Sequence, residues 1–362
     1  MENTRKHFPV LSQYIYANTA SSGLLSEKLM DWRQEHDLDY LIGGSNMKTK
    51  AMQKDIPKVR KTVGDFFGAA AENTALTPNF SLGLNILLEG LGREHRVLLV
   101  KNDYPSVNWP FERRDFKISY AALDANLENN ILEKVKTEDI SLLALSLVHW
   151  ISGIKIDLDF LKNLKRQYPN LIIIADGTQF CGTTDFNFQD SGIDILGASG
   201  YKWLLGGYGN GFFLFKDDIK NSFSLDTTGF NAAETNLNGR DDIRFAKQLE
   251  PGHLDTLNFG SLKFSLEYLQ GLGKDAIENQ LKILSAKAKK EFTELGLLED
   301  AVTARKTHST IFNIKGDDAL FQRLTQNKVL CSQRGDGIRF SFHFYNTEQD
   351  IDAIVKILKT AR

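Results

Sequence analysis

The sequence predicts an α/β protein: a large domain with a mainly parallel central sheet, and a smaller α+β domain beside it. Five short apolar runs carry the first part of that prediction: VLLVKND (97–103), LLALSLVHW (142–150), LIIIAD (171–176), IDILGAS (193–199) and GFFLF (211–215). Runs this short and this uniformly apolar, spaced by helix-length segments such as 158–168, are what strands of a parallel sheet covered on both faces look like. A change of texture near residue 262 carries the second part. A long amphipathic stretch (262–297) is followed by strand-like STIFNIK (309–315) and IRFSFHF (338–344), then by a closing helix, TEQDIDAIVKILKTA.

At 362 residues the chain exceeds what one core ordinarily supports, so two domains are expected. The pattern places the large one at 21–261 and the small one at 262–362, joined by the N-terminal segment 1–20. A hydrophobic fraction of 42% and a charged fraction of 25% fit a globular chain and argue against disorder. Forty-four Lys and Arg against 46 Asp and Glu leave a net charge of -2, without the basic excess that nucleic-acid binding exploits. Cys181 and Cys331 have no metal-ligand or disulfide spacing, so neither a metal site nor a cystine framework is expected. With no apolar leader and no run of membrane-spanning length, the expectation is a cytoplasmic protein with no membrane partner.

Two segments carry the chemistry. LIIIADGTQFCG ends an apolar strand in Asp176, at the sheet edge where open α/β proteins bind ligands. A carboxylate there can pair with a protonated pyridine nitrogen and keep the ring cationic; equally, an Asp at a strand end serves as a turn former. IDILGASGYKWLLGGYGNGFFLF then places Lys202 between two apolar strands, in a glycine-rich turn. Burial there would lower the ammonium pKa and favour the free amine that attacks an aldehyde, whereas most lysines after a strand are simply solvated.

Taken together, ADGTQ and SGYKW resemble the class V aminotransferase family of pyridoxal 5′-phosphate (PLP) enzymes, which includes cysteine desulfurases, kynureninases and isopenicillin-N-epimerase-like proteins. The resemblance extends through YIYANTASSG (14–23), NFSLGLNILLEGL (79–91) and IRFSFHFYNTEQDID, nearly the whole chain. It implies the PLP-dependent transferase fold, PLP as cofactor, and Lys202 and Asp176 as the catalytic pair. Phe80 and Ser81 match positions that hold the cofactor phosphate at a helix start, with Ser199 and Tyr201 assisting. Phe80 stands where the family often has Thr, which costs one hydroxyl. Tyr104 matches the residue stacked on the pyridine ring, and Gln179 the one bonded to its 3′-oxygen. Thr256, in HLDTLNFGSLKFS, matches a hydroxyl that reaches the phosphate held by the other subunit, implying a homodimer with shared sites. Arg339 matches the arginine that fixes the substrate carboxylate, with Arg334, Asn18 and His149 as further substrate contacts.

The reaction expected first is transfer of an amino group between an α-amino acid and a 2-oxo acid. The alternative is a lyase or epimerase of the desulfurase and kynureninase type. Cysteine desulfurases carry a nucleophilic Cys on a loop before the arginine strand, and here that region is the short NKVLCSQRGDGIRF, in which Cys331 reads as a buried strand residue. A persulfide held on an enzyme thiol is therefore not expected. A non-catalytic relative has no need for Asp176 and Lys202 together.

Overall fold

All five apolar runs are strands in the computed structural model, which describes residues 2–360. The short strand β1 (Ile15–Tyr16) is followed by β2 (Thr74–Thr77), β3 (Arg96–Val100), β4 (Lys117–Ala121), β5 (Leu142–Ser146), β6 (Ile172–Asp176), β7 (Ile195–Ser199) and β8 (Gly211–Phe215). The last seven form one sheet in the order β2-β8-β7-β6-β5-β3-β4. Every residue of β6, β7 and β8 is buried, as expected where helices cover both faces of the sheet.

Four pairings are parallel, but β8 runs antiparallel to both β7 and β2. The reason lies in the connection. Residues 200–210 contain no helix, and a link this short cannot carry the chain back to the start of a parallel neighbour. The same short link folds the Lys202 turn tightly over the sheet edge. Gly23 lies directly against it: its amide donates to Tyr201 O at 2.8 Å, and a Cβ there would come within 2.0 Å of Lys202 O.

Beyond the sheet, the expected amphipathic stretch is two helices, Thr256–Leu272 and Lys274–Glu294. Gly273 separates them with φ 87, a left-handed conformation that breaks the helical ladder. Residue 262 lies inside the first of these helices. The smaller α+β domain adds β9 (Ile311–Lys315), β10 (Val329–Leu330), β11 (Ser332–Arg334) and β12 (Gly337–Ser341), with β11-β12-β9 antiparallel. The N-terminal segment pairs with these elements: β1 runs parallel to β10, and Arg5 Nη1 reaches Tyr345 O (2.7 Å) and Asp350 Oδ2 (2.8 Å). The closing helix is Glu348–Thr360. Among the described residues no helix is long and apolar enough to cross a membrane.

A buried charge cluster fixes edge strand β2, which leads into the site. The Glu250 side chain, fully enclosed, accepts from Arg60 Nη1 (2.5 Å) and Nη2 (2.7 Å), Lys247 Nζ (2.9 Å) and the Leu76 amide (2.7 Å). Removing the carboxylate strands two cations away from water. Glu250→Ala is expected to lower unfolding free energy by about 3–5 kcal/mol in denaturant titration; a loss below about 1 kcal/mol, the size of an exposed pair, would contradict this burial.

Candidate active site

Strand register brings the carboxyl ends of β5, β6 and β7 side by side, with Ser146 opposite Asp176 and Asp176 opposite Gly197. Asp176 ends the middle strand and is 4% exposed. Its Oδ1 accepts from the Thr178 amide at 2.8 Å, and burial pushes its pKa up to about 6 against the pull of Thr178 and Lys202. Thr178 Oγ1 in turn accepts from the Ser199 amide at 3.1 Å, tying the two strand ends together.

Lys202 sits three residues beyond β7 and is 6% exposed. Its turn is closed by Leu205 N→Lys202 O (3.1 Å), Gly206 N→Gly200 O (2.9 Å) and Asn210 Nδ2, which donates to Gly206 O at 2.9 Å. A Cβ on Gly200 would fall 2.0 Å from Asn210 Oδ1, so this position needs glycine. The ammonium lies 5.5 Å from the centroid of the Tyr104 ring and 5.4 Å from that of Tyr201. Burial pushes its pKa down to about 8; Asp176 opposes that shift, and Arg339 and Arg334 add to it. At pH 7 roughly a tenth of the side chain is then free amine, about two hundred-fold more than for a solvated lysine.

A cavity of about 390 Å³ opens over this lysine. Of the residues expected from sequence, its walls bring together Phe80, Ser81, Tyr104, Asp176, Gln179, Ser199, Tyr201 and Lys202. Helix Phe80–Glu89 points its N-terminus at the cavity, capped by Asn79 Oδ1 accepting from the Leu82 amide at 2.9 Å. The Phe80 amide, expected to face a phosphate, is already bonded to Ser199 Oγ at 3.0 Å, and its ring stacks on Phe213. The first-turn donor left for an anion is the Ser81 amide, which has no partner within the helix. Gln179 Oε1 accepts from Trp203 Nε1 at 2.7 Å; because an indole only donates, this fixes the amide orientation. Its Nε2 donates one hydrogen to Ala20 O at 3.0 Å and keeps a second.

Arg339 is 2% exposed and lies beside the cavity wall, Nη1 donating to Trp150 O at 2.7 Å. Its Nε has no partner, and among the described residues no carboxylate forms an ion pair with it. Burial, with Arg334 next, lowers its pKa to about 10. An almost enclosed guanidinium with one neutral acceptor calls for an anion.

Besides Arg339, which sits beside the wall and not on it, four expected contacts do not reach the cavity. Arg334 shares a face of the β11–β12 hairpin with Arg339 but is exposed, its Nη1 turned back to Gln333 O. Asn18 Oδ1 is held by Ser332 Oγ at 2.6 Å, bracing the N-terminal segment against β11. His149 has both ring nitrogens bonded to protein, to Asn102 O and Ser152. Thr256 lies on a second cavity of about 850 Å³, with its Oγ1 2.9 Å from His36 Nε2. Cys331 is not on the wall of the Lys202 cavity, and burial pushes its thiol up to about 12; Cys181 is fully buried.

Sequence reasoning missed Asp103, whose Oδ1 accepts from the Tyr104 amide (2.6 Å) and Oδ2 from the Ser146 amide (2.7 Å). Its only signal was an Asp at the head of a turn. Tyr208, stacked on Tyr201 at 4.6 Å, was hidden in the glycine-rich link.

A doubly covered sheet with a carboxylate and a desolvated lysine at adjacent strand ends is the arrangement expected of the PLP-dependent transferase fold. The family follows from the sequence: the aminotransferase class-V model matches residues 18–354, and the chain belongs to that family, whose cofactor is PLP. The chain is similar to the uncharacterized aminotransferase YcbU of Bacillus subtilis, 22% identical over 357 residues that cover 97% of this chain and 95% of that protein. It is similar to a probable cysteine desulfurase of Pyrococcus abyssi, 22% identical over 400 residues covering 99% and 96%. The structure resembles that of the cystine C–S lyase C-DES, solved with its product cysteine persulfide, at a TM-score of 0.86 and 18% identity, covering 97% and 98%.

Proposed function

We propose that this chain cleaves a carbon–sulfur bond in a cysteine-type α-amino acid and releases the sulfur product without loading it on a protein thiol. Arg339 carries the amino-acid part: a buried guanidinium lacking a carboxylate, set beside the cavity of a desolvated lysine. The sulfur part draws on the desulfurase and C–S lyase relatives, and the release on a cavity wall that includes neither cysteine.

The residues fit PLP. The helix terminus at Ser81, with Ser199 and Tyr201 opposite, is a ready phosphate site. Asp176 would pair with the ring nitrogen, Tyr104 would cover the ring, and the spare Gln179 N–H would serve its 3′-oxygen. Bound there, the cofactor supplies the electron sink that stabilises negative charge at the substrate Cα. Arg339 grips the substrate carboxylate and so presents the Cα–H bond to Lys202. The Lys202 amine takes that proton, the Cα–H electron pair forms a Cα=Cβ double bond, and the Cβ–S electron pair departs with the sulfur.

A second reading, amino-group transfer to a 2-oxo acid, draws on the similarity to YcbU and uses Lys202 in the same role. Incubating the holoenzyme with L-cysteine, L-cystine and other amino acids separates the two. Pyruvate and ammonia with sulfide or persulfide are expected from the sulfur substrates; pyridoxamine phosphate and a 2-oxo acid as the only products would overturn the lyase reading in favour of transfer.

We also propose that a second copy covers the face bearing Thr256. Tyr40, on the wall of the cavity that Thr256 lines, is 62% exposed, and Leu41 and Ile42, which follow it at the end of helix Glu27–Gly43, are 79% and 84% exposed, more apolar surface than a lone chain gains by showing to water. Light scattering should give about twice the 40.8 kDa chain mass, and a chain of single mass would refute the pairing.

A further inference from the structure

We propose that His149 is a positioning residue, an uncharged strut whose two ring nitrogens fix the loop that presents Tyr104 and the turn whose carbonyl holds Arg339. The inference rests on the reading of Tyr104 and Arg339 given above, and it replaces the expected substrate contact by His149 with an indirect role.

The hydrogen bonds determine the tautomer. Nε2 lies 3.0 Å from Asn102 O, and a carbonyl only accepts, so Nε2 carries the hydrogen. Nδ1 lies 3.1 Å from the Ser152 amide, which only donates, so Nδ1 carries the lone pair. Ser152 Oγ adds a third contact, 2.9 Å from Nδ1. The ring is neutral with both nitrogens occupied. No proton remains for exchange with a substrate, and burial disfavours the charged form in the same direction.

Each end of the strut meets a different part of the site. Asn102 holds a left-handed conformation, φ 62, which asparagine adopts more readily than most side chains and which turns the chain sharply after β3. The next two residues are Asp103, anchored to Ser146, and Tyr104, whose ring faces Lys202. At the other end, Gly153 N→His149 O (3.0 Å) and His149 N→Ile154 O (2.9 Å) close a turn around Ser152. That turn carries Trp150, whose carbonyl accepts from Arg339 and whose ring meets Tyr104 edge-on at 5.6 Å. His308 Nε2, 3.0 Å from Ser152 O, secures the turn from the smaller domain. One imidazole thus spans the gap between ring cover and carboxylate arm.

Two isosteric variants divide the strut. In His149→Asn the short amide sits at the Nδ1 level and keeps the Ser152 bond while losing Asn102. In His149→Gln the longer amide reaches the Nε2 level and keeps Asn102 while losing Ser152. Apoprotein titrated with PLP, followed by visible circular dichroism, reads the ring cover; KM for the amino acid reads the carboxylate arm. Losing one such bond is expected to shift its own readout about tenfold. His149→Asn should weaken PLP binding and dull the dichroic band with KM little changed, and His149→Gln should raise KM with PLP binding little changed. If both variants shift both readouts equally, or neither readout moves, the strut is wrong while the function stands. Wild-type protein that binds no PLP overturns the functional reading and the strut with it. His149→Phe is expected to shift both, and should it fail to fold, the Asn and Gln pair still decides.

Discussion

Burying an ammonium without a partner is among the least favourable things a folded chain does, and the rest of this structure is arranged around doing so at Lys202. Asp176 is near enough to pull the pKa upward, yet no ion pair forms, and two arginines push the other way. The position persists because the backbone around it is over-determined: Gly23 on one side, the Asn210 side chain on the other, and strands β7 and β8 beneath. A lysine in this setting has the lowered pKa that its proposed role as nucleophile requires, and that role orders the remaining residues by what they would do beside it.

The sheet supplies the geometry. Parallel β5, β6 and β7 end in one row, so Ser146, Asp176 and Ser199 face a common space although 53 residues of chain separate the first from the last. Antiparallel β8 returns the chain at once, which keeps the Lys202 turn short. The helix beginning at Phe80 then points its N-terminus, with the Ser81 amide free, into the same space, where a phosphate would meet both dipole and donor. The smaller domain brings Arg339, on strand β12, to the side of that space, so in the proposed reaction the substrate carboxylate and the cofactor would be held by different domains.

Much of this was legible in the sequence, and the parts that were not share a cause. β5, β6, β7 and β8 were readable because burial on both faces leaves uniformly apolar runs. Edge strands β2 and β4 were not, since TALT is short and KISYA is half exposed. The direction of β8 depended on the missing crossover helix, and the helix break at Gly273 on a backbone angle. Asp176, Lys202 and the residues of the NFS turn stood out because their neighbours in sequence are also their neighbours in space. His149, Asp103 and Thr256 are bonded to partners from distant segments, and no local pattern distinguishes a histidine facing a cavity from one bonded between two loops. The occupied Phe80 amide likewise depends on Ser199, 119 residues away.

The proposed chemistry begins with a bond between Lys202 and the cofactor aldehyde. Holoenzyme reduced with borohydride, digested and read by mass spectrometry should carry the cofactor mass on the peptide containing Lys202, and PLP capture by the apoprotein should rise with pH through a midpoint near about 8, as the lowered pKa requires. A cofactor mass on another lysine, no retained mass, or a midpoint up near the solvated lysine value of about 10.4 would contradict it.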